Sequence, residues 1–471
     1  MTAWLRAALD HIPDWLEHQM RVTEQPGCAL AIAHQGKVVL ERTFGHADLA
    51  AGERLTPQHR FRVASHSKSF TAAAILKLRE QGRLSLDDRI GRYVPDLHAD
   101  VANASLSQLL SHSAGLVRDG SDAGQWTDRQ PFLDEAGIRA DLAAGLTIDA
   151  NTRFKYSNHG FGLLGLAIAA ITGEPYVDWI GREIVAAAGL QQTVPDAPVA
   201  AGVPFARGHS AKWPLGQRLV IPGDNPTRAL ASATGFVSTA ADLACFFGQL
   251  SPTSKRSVLS VASRREMTRR QWREPHASLE RWYGLGTMSG TVGGAAAGPS
   301  AGWDWFGHTG GFQGTLTRTA VVPARGLSLS VLTNSADGPA QAWVDGCLHI
   351  LRAFERHGAA SRRTAAWSGR WWTLWGAVDL LPMGGDTVLV ANPALANPLL
   401  DATELAISPR SRAGPSQNLQ GRIALAGGYG SHGEPVRLVH DAKGRAVELW
   451  LAGTRYQPQA KVARELVRRY R

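Results

Sequence analysis

The segment Phe61-Arg62-Val63-Ala64-Ser65-His66-Ser67-Lys68 decides how this chain is interpreted. Phe61–Val63 is extended in character, and the alanine-rich stretch that follows keeps helical spacing to Leu78. If a helix begins at Ser65, residues three apart share one face with Cβ atoms about 5–6 Å apart, so Lys68 reaches the Ser65 hydroxyl. Free N–H groups at a helix start lie beside that oxygen. The segment therefore predicts a serine nucleophile whose own N–H helps to hold an oxyanion.

A second segment, Tyr156-Ser157-Asn158, precedes the apolar helical run Gly160–Ile171. A phenol beside Lys68 can relay a proton if nearby cations lower its pKa. The Asn158 amide can donate to a substrate carbonyl and orient Lys68. A packed tyrosine and a capping asparagine fit the same residues, so this segment alone leaves both interpretations open.

The third segment is Gly307-His308-Thr309-Gly310-Gly311. An edge strand flanked by glycines lets the backbone of a substrate approach closely and pair with it. In such an arrangement the N–H of Gly311 completes an oxyanion hole with the N–H of Ser65. A plain glycine cluster at a strand turn is the alternative.

Taken together and in this order, the three segments resemble the serine penicillin-recognising family. That family contains class C β-lactamases, D-alanyl-D-alanine carboxypeptidases, D-aminopeptidases and related esterases, and a related motif set is found in class A enzymes. The similarity extends over roughly residues 27–354 and includes the run Leu109–Leu116. It implies an α/β (α+β) fold, with a β-lactamase-like antiparallel sheet flanked by helices and a mostly helical subdomain.

The resemblance also implies a mechanism without metal or organic cofactor, in which an acyl-enzyme forms on Ser65. Lys68 and Tyr156 are the other expected catalytic residues, and the N–H groups of Ser65 and Gly311 form the expected oxyanion hole. The residues expected to bind substrate are Asn158, His308, Thr309 and Gly310.

One departure from the family pattern bears on the substrate. Class C β-lactamases usually carry lysine where this chain has His308, and histidine is largely neutral at pH 7. We therefore expect a peptidase, amidase or esterase that acts on small amides, esters or short peptides, including peptides with D-amino acids. Arg207 or Arg228 could supply the missing cation. A β-lactamase, a non-catalytic penicillin-binding or sensor protein, and an acyltransferase remain as alternatives.

Composition and pattern predict two domains. Hydrophobic residues make up 44% of the 471 residues, which excludes disorder for the bulk of the chain. Residues 1–355 form the expected hydrolase domain, with a helical insertion at about 75–300, and residues 356–366 form a linker. Residues 367–471 carry short apolar runs between turns, which predict a small all-β barrel or sandwich. The tryptophans of residues 367–375 are expected in its core, and a homo-oligomer through this domain is one expected partner.

The remaining features exclude several classes of function. The net charge of +10 comes from arginines spread along the chain, with no basic helix or stacking motif, so nucleic-acid binding is not expected. The three cysteines form no CxxC pair, which disfavours a zinc site. The first residues do not follow the pattern of a secretory signal and no long apolar run occurs, so we expect a cytoplasmic protein without a membrane partner.

Two further motifs compete with this interpretation. Residues 298–302 fit the Gly-x-Ser-x-Gly elbow of α/β-hydrolases, but they lie in a glycine- and alanine-rich run that predicts a loop. Residues 160–165 fit a dinucleotide fingerprint, but no βαβ unit surrounds them, so close helix packing is the favoured explanation.

Overall fold

The computed structural model describes residues 1–212, 216–275, 280–293, 302–408, 418–427 and 430–471. These residues form two compact units. The main unit contains Gln25–Val292 and Gly302–Val344, and the barrel unit contains Met1–Glu24 and Asp345–Arg471. The linear boundaries at residues 355 and 367 stay a prediction, because compact packing does not by itself define a segment that folds independently.

The main unit is built on one large antiparallel sheet. Its strand order is β3-β2-β1-β13-β12-β11-β10-β9-β8, so strands from both ends of the unit meet at β1 and β13. Every residue of β13 and nearly every residue of β1 is buried, as expected for strands at the centre of a sheet. In two separate two-stranded sheets, β4 pairs with β7 and β5 pairs with β6. The strands of the main unit are β1 (Gly27–His34), β2 (Lys37–Asp48), β3 (Glu53–Arg54), β4 (Phe61–Arg62), β5 (Gly208–His209), β6 (Val220–Ile221), β7 (Val237–Ser238), β8 (Trp272–Arg273), β9 (Arg281–Tyr283), β10 (Met288–Val292), β11 (Trp303–Phe312), β12 (Thr315–Val322) and β13 (Leu327–Thr333).

Helices fill the chain between the two groups of strands in the main unit. The helix α8 (Ala240–Gln249) packs on the sheet, where the Ser328 hydroxyl donates to the Ala244 carbonyl at 2.7 Å. The α-helices of the chain are α1 (Ala3–Val22), α2 (Ser67–Glu80), α3 (Ala99–Ala102), α4 (Leu106–Leu110), α5 (Glu135–Leu142), α6 (Asn158–Thr172), α7 (Tyr176–Ile180), α8 (Ala240–Gln249), α9 (Val261–Thr268), α10 (Ala340–His357) and α11 (Gln459–Tyr470).

This arrangement confirms the predicted sheet with a helical subdomain but corrects the extent of the insertion. The strands β8, β9 and β10 belong to the large sheet, so the helical insertion ends before Trp272 rather than near residue 300. These strands were missed because they are short and carry glycine and arginine in place of a regular alternation of apolar residues.

The barrel unit contains a second antiparallel sheet of eight strands, each paired with the next along the chain. Trp372 and Gln457 also exchange two backbone hydrogen bonds of 2.9 Å, which join the first strand to the residue after the last. The sheet is therefore nearly closed, which confirms the predicted barrel-like all-β region. Its strands are β14 (Gly369–Thr373), β15 (Gly376–Met383), β16 (Thr387–Ala391), β17 (Thr403–Ile407), β18 (Leu419–Leu425), β19 (Pro435–His440), β20 (Ala446–Leu451) and β21 (Thr454–Tyr456).

Two details of the barrel unit differ from expectation. Trp367 and Trp371 are buried in its core as predicted, but Trp375 is 93% exposed. The chain also ends in the helix α11, none of whose residues is buried. This helix carries Arg468 and Arg469 in its last turn, so the expectation that the chain has no basic helix is wrong.

The competing motifs have different outcomes. Residues 298–301 of the Gly-x-Ser-x-Gly motif lie outside the described residues. Residues 160–165 form part of α6, where a Cβ on Gly165 would stand 2.5 Å from the Ser232 hydroxyl oxygen. Close packing of a helix therefore explains those glycines.

Within the described ranges, no single helix is long and apolar enough to cross a membrane. The segments Asn158–Thr172 and Tyr176–Ala186 would reach that length only as a pair, and the pair is bent by 83°.

Candidate active site

Ser65 lies on a tight turn immediately before α2. The turn Ala64–His66 is a 3-10 turn and α2 begins at Ser67, two residues later than predicted. Ala64 has a φ of +48°, a conformation that costs energy for a residue with a side chain and is common at functional sites. The Ser67 hydroxyl stabilises the turn, since it donates to the Ala64 carbonyl at 2.6 Å and accepts from the Phe236 N–H at 3.0 Å.

Lys68 is fully buried and its amine has three polar neighbours. Its Nζ lies 2.6 Å from Asn158 Oδ1, 2.8 Å from the Ala233 carbonyl oxygen and 3.3 Å from Ser65 Oγ. Burial lowers the pKa of the Lys68 amine well below its ordinary value, while the charge of Asp119 raises it and that of Arg118 lowers it further. The neutral amine is therefore accessible at a pH where an exposed lysine is charged.

Tyr156 donates a hydrogen bond of 2.9 Å to Ser65 Oγ. Lys68 Nζ lies 4.8 Å and Arg118 Cζ 5.2 Å from the centroid of the Tyr156 ring. Burial nevertheless raises the pKa of the Tyr156 phenol above its ordinary value, against the opposing effects of the Ser65 hydrogen bond and Arg118. The expected lowering of the Tyr156 pKa by nearby cations is therefore absent, because the cost of burying a phenolate is larger than their effect.

Asn158 connects the amine to a carboxylate that the sequence analysis did not identify. Its Oδ1 accepts from Lys68, and its Nδ2 donates to Asp119 Oδ1 at 2.6 Å. Asp119 in turn pairs with Arg118, whose Nε lies 3.0 Å from Asp119 Oδ2. The predicted orienting contact with Lys68 is present, whereas contact of Asn158 with a substrate carbonyl stays a prediction.

The ring of His308 is buried and both of its nitrogen atoms have partners. Nδ1 lies 2.6 Å from the Thr309 carbonyl oxygen and must donate to it, so Nε2 accepts from the Tyr283 hydroxyl at 2.9 Å. Burial lowers the pKa of His308 well below its ordinary value, and His66 adds to the effect. The neutral ring of His308 therefore stabilises the strand. Contact of His308 Nε2 with substrate stays a prediction, and it would require the hydrogen bond from Tyr283 to break.

The strand β11 brings its glycines against the nucleophile turn. The pairing of β10 with β11 ends at Gly307, and among the described residues no strand pairs with residues 308–312 on that side. A Cβ on Gly310 would stand 2.2 Å from the Val63 carbonyl oxygen, so only glycine permits this approach. Thr309 is half-buried and Gly311 is exposed at the edge. The structure thus brings the third segment to Ser65, and the roles of Thr309, Gly310 and Gly311 stay predictions.

The two arginines considered as substitutes for the missing lysine lie elsewhere. Arg207 donates to the Pro222 carbonyl at 3.0 Å and pairs with Asp224, and Arg228 lines a separate cavity of about 620 Å³. Within the described part of the chain, neither forms a hydrogen bond to Ser65. The arginine beside the site is Arg118, two residues after the run Leu109–Leu116, and no motif in the sequence marked it.

The described residues hold no group of three or more histidine, cysteine, aspartate or glutamate side chains arranged to bind a metal ion. Cys28, Cys245 and Cys347 form no disulfide bond, and Cys28 and Cys347 are buried. The Ser65 hydroxyl contacts the Lys68 amine at 3.3 Å and the Tyr156 phenol at 2.9 Å.

The chain combines a Ser–Lys–Tyr cluster with a large antiparallel sheet and a helical subdomain, which is the β-lactamase class of fold. The Beta-lactamase family model matches residues 12–345. The chain belongs to the β-lactamase family.

The curated and structural relatives agree with this assignment. Protein flp of Staphylococcus aureus strain MW2 is 30% identical over 169 residues, which are 35% of this chain and 34% of that protein. The chain thus aligns with about a third of the length of that relative.

Two solved structures share the fold. The octameric penicillin-binding protein homologue from Pyrococcus abyssi has a TM-score of 0.64 and 20% identity over 95% of this chain and 99% of its own. The D-amino acid amidase from Ochrobactrum anthropi SV3, complexed with L-phenylalanine amide, has a TM-score of 0.62 and 23% identity. The similarity covers 74% of this chain and 99% of the amidase chain.

Proposed function

We propose that this protein is a serine hydrolase that cleaves small amides, short peptides or esters through an acyl-enzyme on Ser65. The observation that carries the proposal is that Lys68 Nζ and the Tyr156 hydroxyl both reach Ser65 Oγ, at 3.3 and 2.9 Å. Activation of a serine by an adjacent base is the general requirement for nucleophilic catalysis by this side chain.

Lys68 is the base. A neutral amine has two N–H groups and one lone pair, and two of its three polar neighbours are carbonyl oxygens, those of Asn158 and Ala233. These oxygens take the two N–H groups, so the lone pair is directed at the Ser65 hydroxyl. The lowered pKa of Lys68 makes this neutral form accessible.

Tyr156 is the proton carrier to the leaving group. When Ser65 Oγ attacks the carbonyl carbon, its proton passes to Lys68, and the N–H groups of Ser65 and Gly311 stabilise the oxyanion. The protonated phenol of Tyr156 then gives its proton to the departing amine or alcohol, and Lys68 reprotonates it. In deacylation a water molecule attacks the acyl carbon and the same groups return the proton to Ser65.

The preferred substrates are amides and esters rather than β-lactams. His308 is buried and neutral, so no permanent cation stands at that position to attract a β-lactam carboxylate. The relative described as a D-amino acid amidase supports D-amino-acid amides as one substrate class. A panel of p-nitrophenyl esters, D- and L-aminoacyl amides and nitrocefin tests this preference, and nitrocefin as the best substrate would contradict it.

Intact-mass spectrometry after reaction with a fluorophosphonate tests the proposed nucleophile. The wild-type chain should gain one phosphonyl adduct as fluoride leaves, and Ser65→Ala should gain none. An undiminished adduct in Ser65→Ala, or no adduct on a folded wild-type chain, would remove the basis of the proposal.

We also propose that the chain self-associates through its C-terminal β region, in the cytoplasm. Leu374 and Trp375 form an exposed apolar hairpin tip, with 60% and 93% of their surfaces accessible, and one structural relative is described as octameric. Light scattering should give a multiple of the 50.5 kDa chain mass, and Trp375→Ser should lower it. A monomeric mass for both the wild-type chain and Trp375→Ser would contradict self-association.

A further inference from the structure

A line of short polar contacts runs from Lys68 to the protein surface. The contact distances are 2.6 Å from Lys68 to Asn158, 2.6 Å from Asn158 to Asp119 and 3.0 Å from Asp119 to Arg118. Exposure rises along the same line, since the Lys68 side chain is fully buried, that of Asp119 is 12% exposed and that of Arg118 is 64% exposed. The buried amine is thus connected to an ion pair at the surface.

The two ends of Asn158 have different partners, which determines the orientation of its amide. The Lys68 amine donates an N–H group toward Asn158, so the acceptor Oδ1 of Asn158 must face Lys68. The Asp119 carboxylate can only accept, so the donor Nδ2 of Asn158 must face Asp119. Asp119 is itself held in place by Trp126, whose Nε1 donates to Asp119 Oδ1 at 2.9 Å. A flipped Asn158 amide would place its oxygen against the carboxylate and its NH₂ against the amine.

Asp119 and Arg118 act on Lys68 with opposite signs. The negative charge of Asp119 raises the pKa of Lys68, and the positive charge of Arg118 lowers it. Among the described residues, the titratable groups His112, His308 and Tyr156 also face the amine, and burial favours the neutral form of each. Substitution of Asp119 or of Arg118 therefore changes the charge near Lys68 in opposite directions.

We propose that Asp119 is a positioning residue that holds the Asn158 amide oxygen toward Lys68, and that the Arg118–Asp119 pair sets the electrostatic potential at the Lys68 amine. This inference rests on the proposed function, because it assigns the pair an effect on the base of that reaction. Neither residue needs to touch the substrate.

The test is the rate of Ser65 labelling by a fluorophosphonate as a function of pH. Labelling requires neutral Lys68, so the rate rises with pH through the pKa of that amine. Asp119→Asn keeps an oxygen acceptor for Asn158 but removes the negative charge, so the rise should move to lower pH. Arg118→Gln removes the positive charge, so the rise should move to higher pH.

Further variants separate charge from position. Asp119→Ala also removes the acceptor for Asn158. The maximal rate of Ser65 labelling should therefore fall by about 10- to 100-fold, in addition to the shift of the pH profile. The matched control is the ion pair of Arg129 with Asp122, 2.7 Å long and exposed. Neither Asp122→Asn nor Arg129→Gln should move the profile.

The outcomes distinguish the inference from the function on which it rests. Opposite displacements in Asp119→Asn and Arg118→Gln support the inference. Displacements in the same direction, or none in either variant while Ser65 is still labelled, would overturn it and leave the proposed function standing. A wild-type chain that is not labelled at Ser65 would instead contradict the proposed function.

Discussion

Lys68 is the residue whose chemistry depends most on its surroundings. On a solvated helix a lysine is a cation, but here the side chain is buried and its amine faces two carbonyl oxygens and a hydroxyl. The cost of burying a charge shifts the balance toward the neutral amine, which is the form that can accept the Ser65 proton.

Replacement of this amine with a group that stays charged should abolish its use as a base. We expect Lys68→Arg to lower the rate of Ser65 acylation by p-nitrophenyl acetate by about 100- to 10,000-fold, because guanidinium does not accept a proton near neutral pH. Lys77→Arg is the control, since Lys77 lies on the same helix and donates to the Glu183 carbonyl at 2.8 Å. Equal rates in the two variants would show that Lys68 is not the base.

The wild-type pH profile gives a second measurement at the residue scale. Because the folded pKa of Lys68 is lowered, acylation should already be maximal at a pH below the ordinary lysine pKa of about 10.4 and should fall only as the pH drops through the lowered value. Stopped-flow acylation from acid to alkaline pH measures this. A rate that keeps rising to pH values near that of a free lysine would contradict the assignment.

The hydrogen bond between Tyr283 and His308 concerns stability rather than chemistry. Tyr283→Phe leaves the buried His308 Nε2 without a donor, so we expect the free energy of unfolding to fall by about 1–3 kcal/mol. Tyr93→Phe removes a phenol hydrogen bond to Asp88 at a half-buried position and should cost less. Urea unfolding compares the two, and a larger loss in Tyr93→Phe would contradict the prediction.

At the scale of elements, the position of β11 against the nucleophile turn assembles the candidate site. The contact is between backbones, with the Gly310 Cα close to the Val63 carbonyl, and side chains of the adjacent strand β12 add to it. The Thr315 hydroxyl donates to the Arg62 carbonyl at 3.2 Å, and the Thr319 hydroxyl lies 3.0 Å from His66 Nε2. The sheet therefore contacts the turn both before Ser65, at Arg62, and after it, at His66.

Two neighbouring glycines on β11 provide a matched test of this contact. In Gly310→Ala the new methyl group meets the Val63 carbonyl oxygen at 2.2 Å, so we expect a loss of about 1–3 kcal/mol and slower Ser65 labelling. In Gly311→Ala it meets Leu316 at 3.3 Å, a contact that a side chain can relieve, so stability should change little. Urea unfolding and labelling rates measure both effects, and a Gly310→Ala protein as stable as wild type would show that β11 and the turn can separate.

At the scale of the whole molecule, the division into units does not follow the order of the chain. The first helix, α1, belongs to the same unit as the C-terminal sheet, about 370 residues later. Its buried Gln19 donates to the Pro393 carbonyl at 2.6 Å and to the Leu395 carbonyl at 3.2 Å. These bonds across a long sequence separation stabilise the barrel unit.

A substitution in α1 should therefore weaken the barrel unit without affecting the candidate site, which lies in the main unit. We expect Gln19→Leu to lower stability by about 1–3 kcal/mol, because the buried Pro393 carbonyl loses a donor, and to leave the Ser65 labelling stoichiometry unchanged. Glu17→Gln, which removes an exposed ion pair with Arg21, should change little. Thermal unfolding and intact mass provide the readouts, and unchanged stability in Gln19→Leu would contradict the prediction.

Local pattern explains why much of this molecule could be predicted from its sequence. The spacing of Ser65 and Lys68 depends only on helical geometry, and the glycines of β11 are the residues that a close backbone approach requires. The short strands after Trp367 follow from apolar runs separated by turn residues. The sequence by itself thus determined the fold class, the all-β region and the segments that meet at Ser65.

Tertiary structure decided what depends on burial and on partners distant in sequence. The pKa values of Lys68 and Tyr156 depend on how much water each group loses, which no local pattern contains. The hydrogen bond from Tyr283 to His308 joins β9 to β11 across the intervening strand β10, while contact of His308 with substrate stays a prediction. The Arg118–Asp119 pair could be identified only from the folded structure, in which Asp119 contacts Asn158. Electrostatic effects depend on distance in space and not on distance in sequence.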